Sequence, residues 1–214
     1  MAMNKHIFGI IFIVLFAMIS VVSAWPVTVT ANVVYPGSHP SYFDITITSS
    51  SNPSQLPTGT YVGWCSDSEH TITPANGITF TAYSTLVTPI PPVGETEQWY
   101  KVNYIINNDA GKDWRSIQTT FWHYDGGIPS PNPLAPINSG HYTALITGAD
   151  ANPLFVPNCD QKYAIELFTS DVQTLFIEQT QSCPPVPEFP TMALPVGMLI
   201  GLVGLVFVIK IHEY

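Results

Sequence analysis

The chain has 214 residues, a formal net charge of −9 and only 10% charged residues. So acidic a balance excludes a nucleic-acid binder and docking on an anionic membrane face. Little charge, many Thr, Ser and Pro, and short apolar runs fit an exported, mainly β domain.

The N-terminus, "MAMNKHIFGIIFIVLFAMISVVSA", has a short basic start at Lys5 and His6, an apolar run over 7–22 and small residues up to Ala24. That is the layout of a secretory signal peptide over 1–24, cleaved before Trp25. "WPVTVTANVVY" (25–35) alternates and reads as a strand. "YFDITIT" (42–48) alternates again, with Phe43, Ile45 and Ile47 on one face. "TYVGWCSD" (60–67) is a buried strand running into a turn, and "GITFTAYST" (77–85) is a further strand. Two helices follow, between about 95 and 123. In the first, Trp99, Val102 and Ile106 fall at helical spacing behind Glu95 and Glu97. In the second, Trp114, Ile117, Phe121 and Trp122 line one face, with Asp113 as N-cap and Gly126-Gly127 as the stop. Gln118 stands inside that apolar stripe, and an amide there needs a reason. "HYTALIT" (141–147) reads as a short strand. "DQKYAIELF" and "VQTLFIEQT" read as a hairpin about Asp171, with Leu167 opposite Leu175, Ile165 opposite Ile177 and Cys159 opposite Cys183.

The expected fold is a sandwich or barrel-like sheet with two short helices, over residues 25–183. Residues 184–191 form a proline-rich neck, 192–209 an uncharged run long enough to cross a bilayer, and 210–214 a cytoplasmic tail. Together the two ends place the domain outside the cell. Pro187-Glu188-Phe189, an apolar segment and a short basic end resemble the PEF-CTERM sorting signal of archaeal surface proteins. That resemblance implies an archaeosortase-type transpeptidase as partner, which removes the tail and transfers the protein to a membrane lipid. A plain single-span anchor is the alternative, and either one keeps the domain at the cell surface.

Three cysteines in an exported chain need an account. The hairpin register offers a Cys159–Cys183 disulfide, which leaves Cys65 over. Cys65 is either a buried structural thiol or, with Gln118, one half of an internal thioester. "TYVGWCSD", "WYKVNYIINN" and "SIQTTFWHY" together resemble the thioester domains of Gram-positive surface adhesins. The resemblance implies Cys65 as the thioester cysteine, Gln118 as its acyl donor and an amine-bearing surface partner joined covalently.

Other groupings are weaker. Asp67, Glu69 and His70 after Cys65 match no metal-ligand spacing and read as a solvated turn. His123 and Asp125 read as a helix end. Trp64, Trp99, Trp114 and Trp122, with Tyr100, Tyr104 and Tyr124, could bind a glycan by stacking, but their stripes favour the core. The expected role is structural or adhesive and non-enzymatic, with no metal or cofactor. A carbohydrate-binding surface module and an inert envelope component are the alternatives.

Overall fold

The computed structural model describes residues 25–35, 42–68, 72–87, 96–170 and 172–182. The signal-peptide run 1–24, the neck with Pro187-Glu188-Phe189, the apolar run 192–209, the tail 210–214, and Glu69, His70, Asp171 and Cys183 lie outside them. Among the described residues no helix is long and apolar enough to cross a membrane.

Six strands close into a barrel. They are β1 (Val27–Val34), β2 (Phe43–Ser50), β3 (Gly59–Cys65), β4 (Ala75–Ser84), β5 (Lys162–Phe168) and β6 (Leu175–Thr180). Their order round the barrel is β1-β2-β3-β6-β5-β4, and every neighbouring pair is antiparallel. Between the sandwich and the barrel, closure decides for the barrel, because β1 pairs with both β2 and β4. Register shifts in β1 at Thr30/Ala31 and at Ala31/Val33 supply the local bending that closure needs.

Alternation sorts the side chains. Val27, Val29, Ala31 and Val33 of β1, Phe43, Ile45 and Ile47 of β2, and Ile165, Leu167, Leu175 and Ile177 of the final hairpin fill the interior. A barrel this small has room for side chains and little else. Gly63 marks the tightest point. A Cβ there would collide with Cδ1 and Cγ1 of Ile45 and lie 3.2 Å from the Phe43 carbonyl oxygen. The hairpin pairs Leu167 with Leu175 and Ile165 with Ile177, as the apolar pattern requires. Its ladder continues to Gln161 and Gln181, whose backbone groups bond at 2.8 Å. That is the register on which the Cys159–Cys183 expectation rests, and Cys183 itself lies outside the described residues.

A second core covers the outer wall of β3, β5 and β6. Three helices form it: α1 (Thr96–Ile106), α2 (Trp114–Tyr124) and α3 (Ser139–Asp150). Trp64, Ala164 and Phe176 point outward from the barrel to meet Trp99, Val102, Ile105, Ile117, Phe121 and Leu145. Strands β5 and β6 are therefore buried on both faces, over Tyr163–Leu167 and Leu175–Glu178, with Glu166 and Glu178 among the buried residues.

The third helix is a correction, since 141–147 reads as a strand by its Thr and Ile content. Asn138 caps α3 by accepting from the backbone N–H groups of Gly140 and His141. The helix buries only Leu145 and Ala149, so it carries no broad apolar stripe. Gly148 lets it lie directly against the Tyr104 ring.

Gly63→Ala is expected to destabilise the domain by about 1–3 kcal/mol through overpacking. Ile45→Val in that background removes the colliding Cδ1 and should restore part of the loss. Denaturant midpoints of the two single variants and the double variant check this, and simple additivity would contradict the contact.

Candidate functional site

The site is built where β3 ends. The β2–β3 ladder stops at the pair Phe43–Gly63, with Tyr42 N–H donating to the Gly63 carbonyl at 3.1 Å. Residues two apart on a strand turn their backbone groups to the same edge. Cys65 therefore directs its N–H and C=O toward an edge where β2 has no paired residue. The Gln118 side chain fills that gap. Cys65 N–H donates to Gln118 Oε1 at 2.9 Å, and Gln118 Nε2 donates to the Cys65 carbonyl at 2.9 Å. A carboxamide has the donor and acceptor of a peptide group, so it completes the ladder where backbone cannot.

Helix α2 delivers Gln118 to this point. Asp113 caps the helix through a bond from Ser116 N–H at 3.0 Å. Phe121 packs edge-on against Trp64 and Phe176, with centroids 5.3 and 4.8 Å away, which seats the helix across β3 and β6. Gly126 and Gly127, both at positive φ, end the turn that follows.

Cys65 and Gln118 thus meet, but through the Cys65 backbone. The thiol faces a different amide. Cys65 Sγ donates to Gln173 Oε1 at 3.2 Å. Gln173 Nε2 is held by the Asp67 carbonyl oxygen, and Asp67 Oδ2 accepts from Thr174 N–H at 3.0 Å. Ser66 N–H donates to the Thr174 carbonyl at 3.0 Å and carries the β3–β6 pairing past Cys65–Leu175. Cys65, Gln118 and Gln173 are all buried, at 1%, 0% and 5% exposure. Gln173 is the site residue that a helical-stripe reading does not reach. Its signal is parity: it shares the inward face of Leu175 and Ile177, two and four residues on.

Burial first, and the Asp67 charge second, hold the Cys65 thiol well above its ordinary value. It is a protonated thiol at neutral pH. Above it opens a groove of about 340 Å³, lined by Tyr35, Tyr42, Phe43, Trp122, Pro133 and Gln173 among others. Burial, with smaller contributions from Cys65 and Tyr35, pushes Tyr42 up to about 12, so its hydroxyl also keeps its proton. Trp64, Trp99 and Trp122 are core residues at 0%, 5% and 3% exposure, and Trp114 is half-buried against both cores. His123 is exposed and meets Tyr142 Oη at 3.0 Å. Asp125 turns away from it into a cleft with Ser66, Trp99 and Phe176.

A buried acid lies behind that cleft. Glu166 of β5 stands opposite Phe176, has no exposed surface, and neither carboxyl oxygen has a hydrogen-bond partner. Burial and then the Asp125 charge push Glu166 up to about 9. Burial also raises Asp125 to about 6, with the Ser66 hydroxyl opposing and the Asp67 charge adding to the rise.

Two outcomes follow from this arrangement. Gln118→Ala orphans a buried N–H and a buried C=O, at about 1–3 kcal/mol each. The variant should lose several kcal/mol by denaturant titration, far more than a surface substitution. Glu166 holds its proton more tightly folded than unfolded, so its contribution is full below about 4.5 and is lost as pH rises toward about 9. Stability measured across that window should fall with pH, and Glu166→Gln should flatten the decline.

No protein-family model matches the chain, and no curated protein matches it. Solved structures share similarity with it, two of them as follows. One is the N-terminal thioester domain of a surface protein from Clostridium perfringens, at 13% identity and a TM-score of 0.43, covering 70% of this chain and 97% of that one. The other is the N-terminal domain of the Streptococcus pyogenes pilus tip adhesin Cpa, at 13% identity and a TM-score of 0.44, covering 76% of this chain and 97% of that one.

Proposed function

We propose that the protein is a cell-surface adhesin that attaches to its partner covalently, through an internal thioester between Cys65 and Gln173. The observation that carries the reading is the buried contact of the Cys65 thiol with the Gln173 amide oxygen at 3.2 Å. Nothing in the helical stripe alone would choose Gln173 over Gln118. The geometry favours Gln173, because its amide meets the thiol, whereas the Gln118 amide is bonded to the Cys65 backbone. Gln118 then positions the cysteine, and Asp67 positions the acyl donor.

The chemistry balances without a cofactor. Cys65 Sγ attacks the Gln173 amide carbon, the C–N bond breaks, and the thiol proton leaves with the nitrogen as ammonia. A C–S bond replaces the C–N bond. Fixing thiol and amide in contact replaces a bimolecular encounter, an advantage of about 10⁵–10⁸ M in effective concentration for well-aligned groups. Burial then shields the ester from water. A primary amine reaching the groove attacks the same carbon, the C–S bond breaks, the amine proton passes to sulfur, and the partner is held by an amide. The exchange occurs once per molecule, so the role is attachment and not turnover.

Export and retention at the cell surface complete the proposal. The apolar run over 7–22 with its small-residue end, and the proline-rich neck before 192–209, support them. An archaeosortase-type enzyme would exchange the tail for a lipid.

Intact mass spectrometry of the unreduced protein from its own membranes is the test. The domain should be lighter by one ammonia, and methylamine should add to it. Fragment masses should place the methylamide on Gln173. Cys65→Ala and Gln173→Ala should each abolish the adduct. A full mass with no adduct would end the thioester reading, and a methylamide on Gln118 would transfer the donor role to that residue. The same spectrum shows whether the residues after about 186 are retained.

A further inference from the structure

The barrel has two mouths. Cys65 ends β3 at one, and at the other Lys162, which opens β5, pairs with Thr180 at the close of β6. The described chain leaves the domain at this second mouth, at Ser182. The loop that joins α3 to β5 reaches the same place, because Asp160 N–H donates to the Gln181 carbonyl at 2.9 Å. Val156 and Leu154 stand four and six positions before Asp160, so they lie within about 14 and 21 Å of it.

That loop is held in shape and is apolar at its surface. Residues 151–159, "ANPLFVPNC", carry no charged side chain. Phe155 turns inward, its ring edge-on to Tyr104 with centroids 5.5 Å apart. Its neighbours Leu154 and Val156 stay in solvent, at 72% and 58% exposure. Phe155 N–H donates to the Asn152 carbonyl at 3.2 Å, and Asn158 N–H to Gln161 Oε1 at 2.7 Å. Asn152 Nδ2 ties the start of the loop to the Gly148 carbonyl at 2.9 Å. Pro153 and Pro157 restrict the backbone further. A single exposed leucine is ordinary, but a fixed loop that shows two aliphatic side chains and no charge fits an apolar partner.

The length of chain beyond Ser182 selects that partner. Nine residues, 183–191, separate Ser182 from the apolar run 192–209. Fully extended, they span at most about 30 Å. With 192–209 in a bilayer, this mouth of the barrel is held within that distance of the lipid surface. We infer that the loop 151–158 docks on the membrane that retains the protein, with Leu154 and Val156 in the interfacial layer and the Cys65 mouth turned outward. Burial of each side chain favours the docked state by roughly tenfold. Two such contacts are too weak to recruit a free protein, but the tether makes docking an intramolecular step. The net charge of −9 directs the contact to uncharged lipid, since an anionic face would repel the domain. The inference rests on retention at the membrane and not on the thioester.

The test is photolabelling of the full chain reconstituted in phosphatidylcholine vesicles, a small fraction of whose lipid carries a diazirine in its acyl chain. Lipid adducts should map to 192–209 and, separately, to 151–158. The double variant Leu154→Asp/Val156→Asp, changed at exposed positions, should keep the parent's circular dichroism and its tail adduct. Its loop adduct should fall about tenfold or more. Cys65→Ala should label as the parent does. A tail adduct without a loop adduct would overturn the inference and leave the loop to a second copy or to the chain after Ser182. A loop adduct that survives the double substitution would overturn it as well. Protein that takes no label in 192–209 and washes off the vesicles would remove retention itself, and this inference with it.

Discussion

The contact between the Gln118 carboxamide and the Cys65 backbone governs how this domain is organised. It lies at the junction of two cores, one inside the barrel and one beneath the helices. It lets β3 run past the start of β2 without leaving buried peptide groups unpaired, at 2.9 Å on both sides. It also ties α2 to the sheet by a directional bond, where apolar contacts alone would allow the helix to slide. Everything at the upper mouth follows from that tie. The Cys65 thiol is fixed in depth and orientation, and Gln173 approaches it on the next strand through the Ser66–Thr174 and Asp67–Thr174 bonds.

Burial at this junction works in two ways. It keeps the thiol protonated and away from water, which suits a group that must persist unreacted. It also leaves Glu166 and Asp125 as acids that hold their protons beyond the usual range. An ionised Glu166 without a hydrogen-bond donor would be costly, so the helix layer over β5 is tolerable only while that proton stays.

Much of the fold was legible because its signals are local. Alternation placed β1 and β2, and the Leu167–Leu175 and Ile165–Ile177 pairs set the final register. The amide inside the stripe of α2 marked Gln118. What was not legible depends on distant contacts. No local feature says that β6 crosses to pair with β3, so Gln173 reaches Cys65 across 108 positions of sequence. Closure through β1 and β4 is equally non-local. Helix α3 escaped for another reason. It buries only Leu145 and Ala149, and its Thr143, Ile146 and Thr147 carry the β-branched signature of a strand.

The course of β6 has a mechanical consequence. Gln173 lies just before the strand begins, and the described chain leaves the domain at Ser182, just after it ends. A partner joined at Gln173 and a tether on the C-terminal side would therefore pull on opposite ends of one strand, separated by roughly 30 Å of extended chain. Tension would run along β6 and bypass the other described strands and helices. The neighbours β3 and β5 flank that strand, and their ladder bonds, perpendicular to it, would resist sliding together and not open one by one. An acyl donor on α2 would instead route the load through the helix layer and the whole barrel. Under the proposed attachment, the position of Gln173 would make the domain a short link in series with such a tether, bearing force without unfolding the rest.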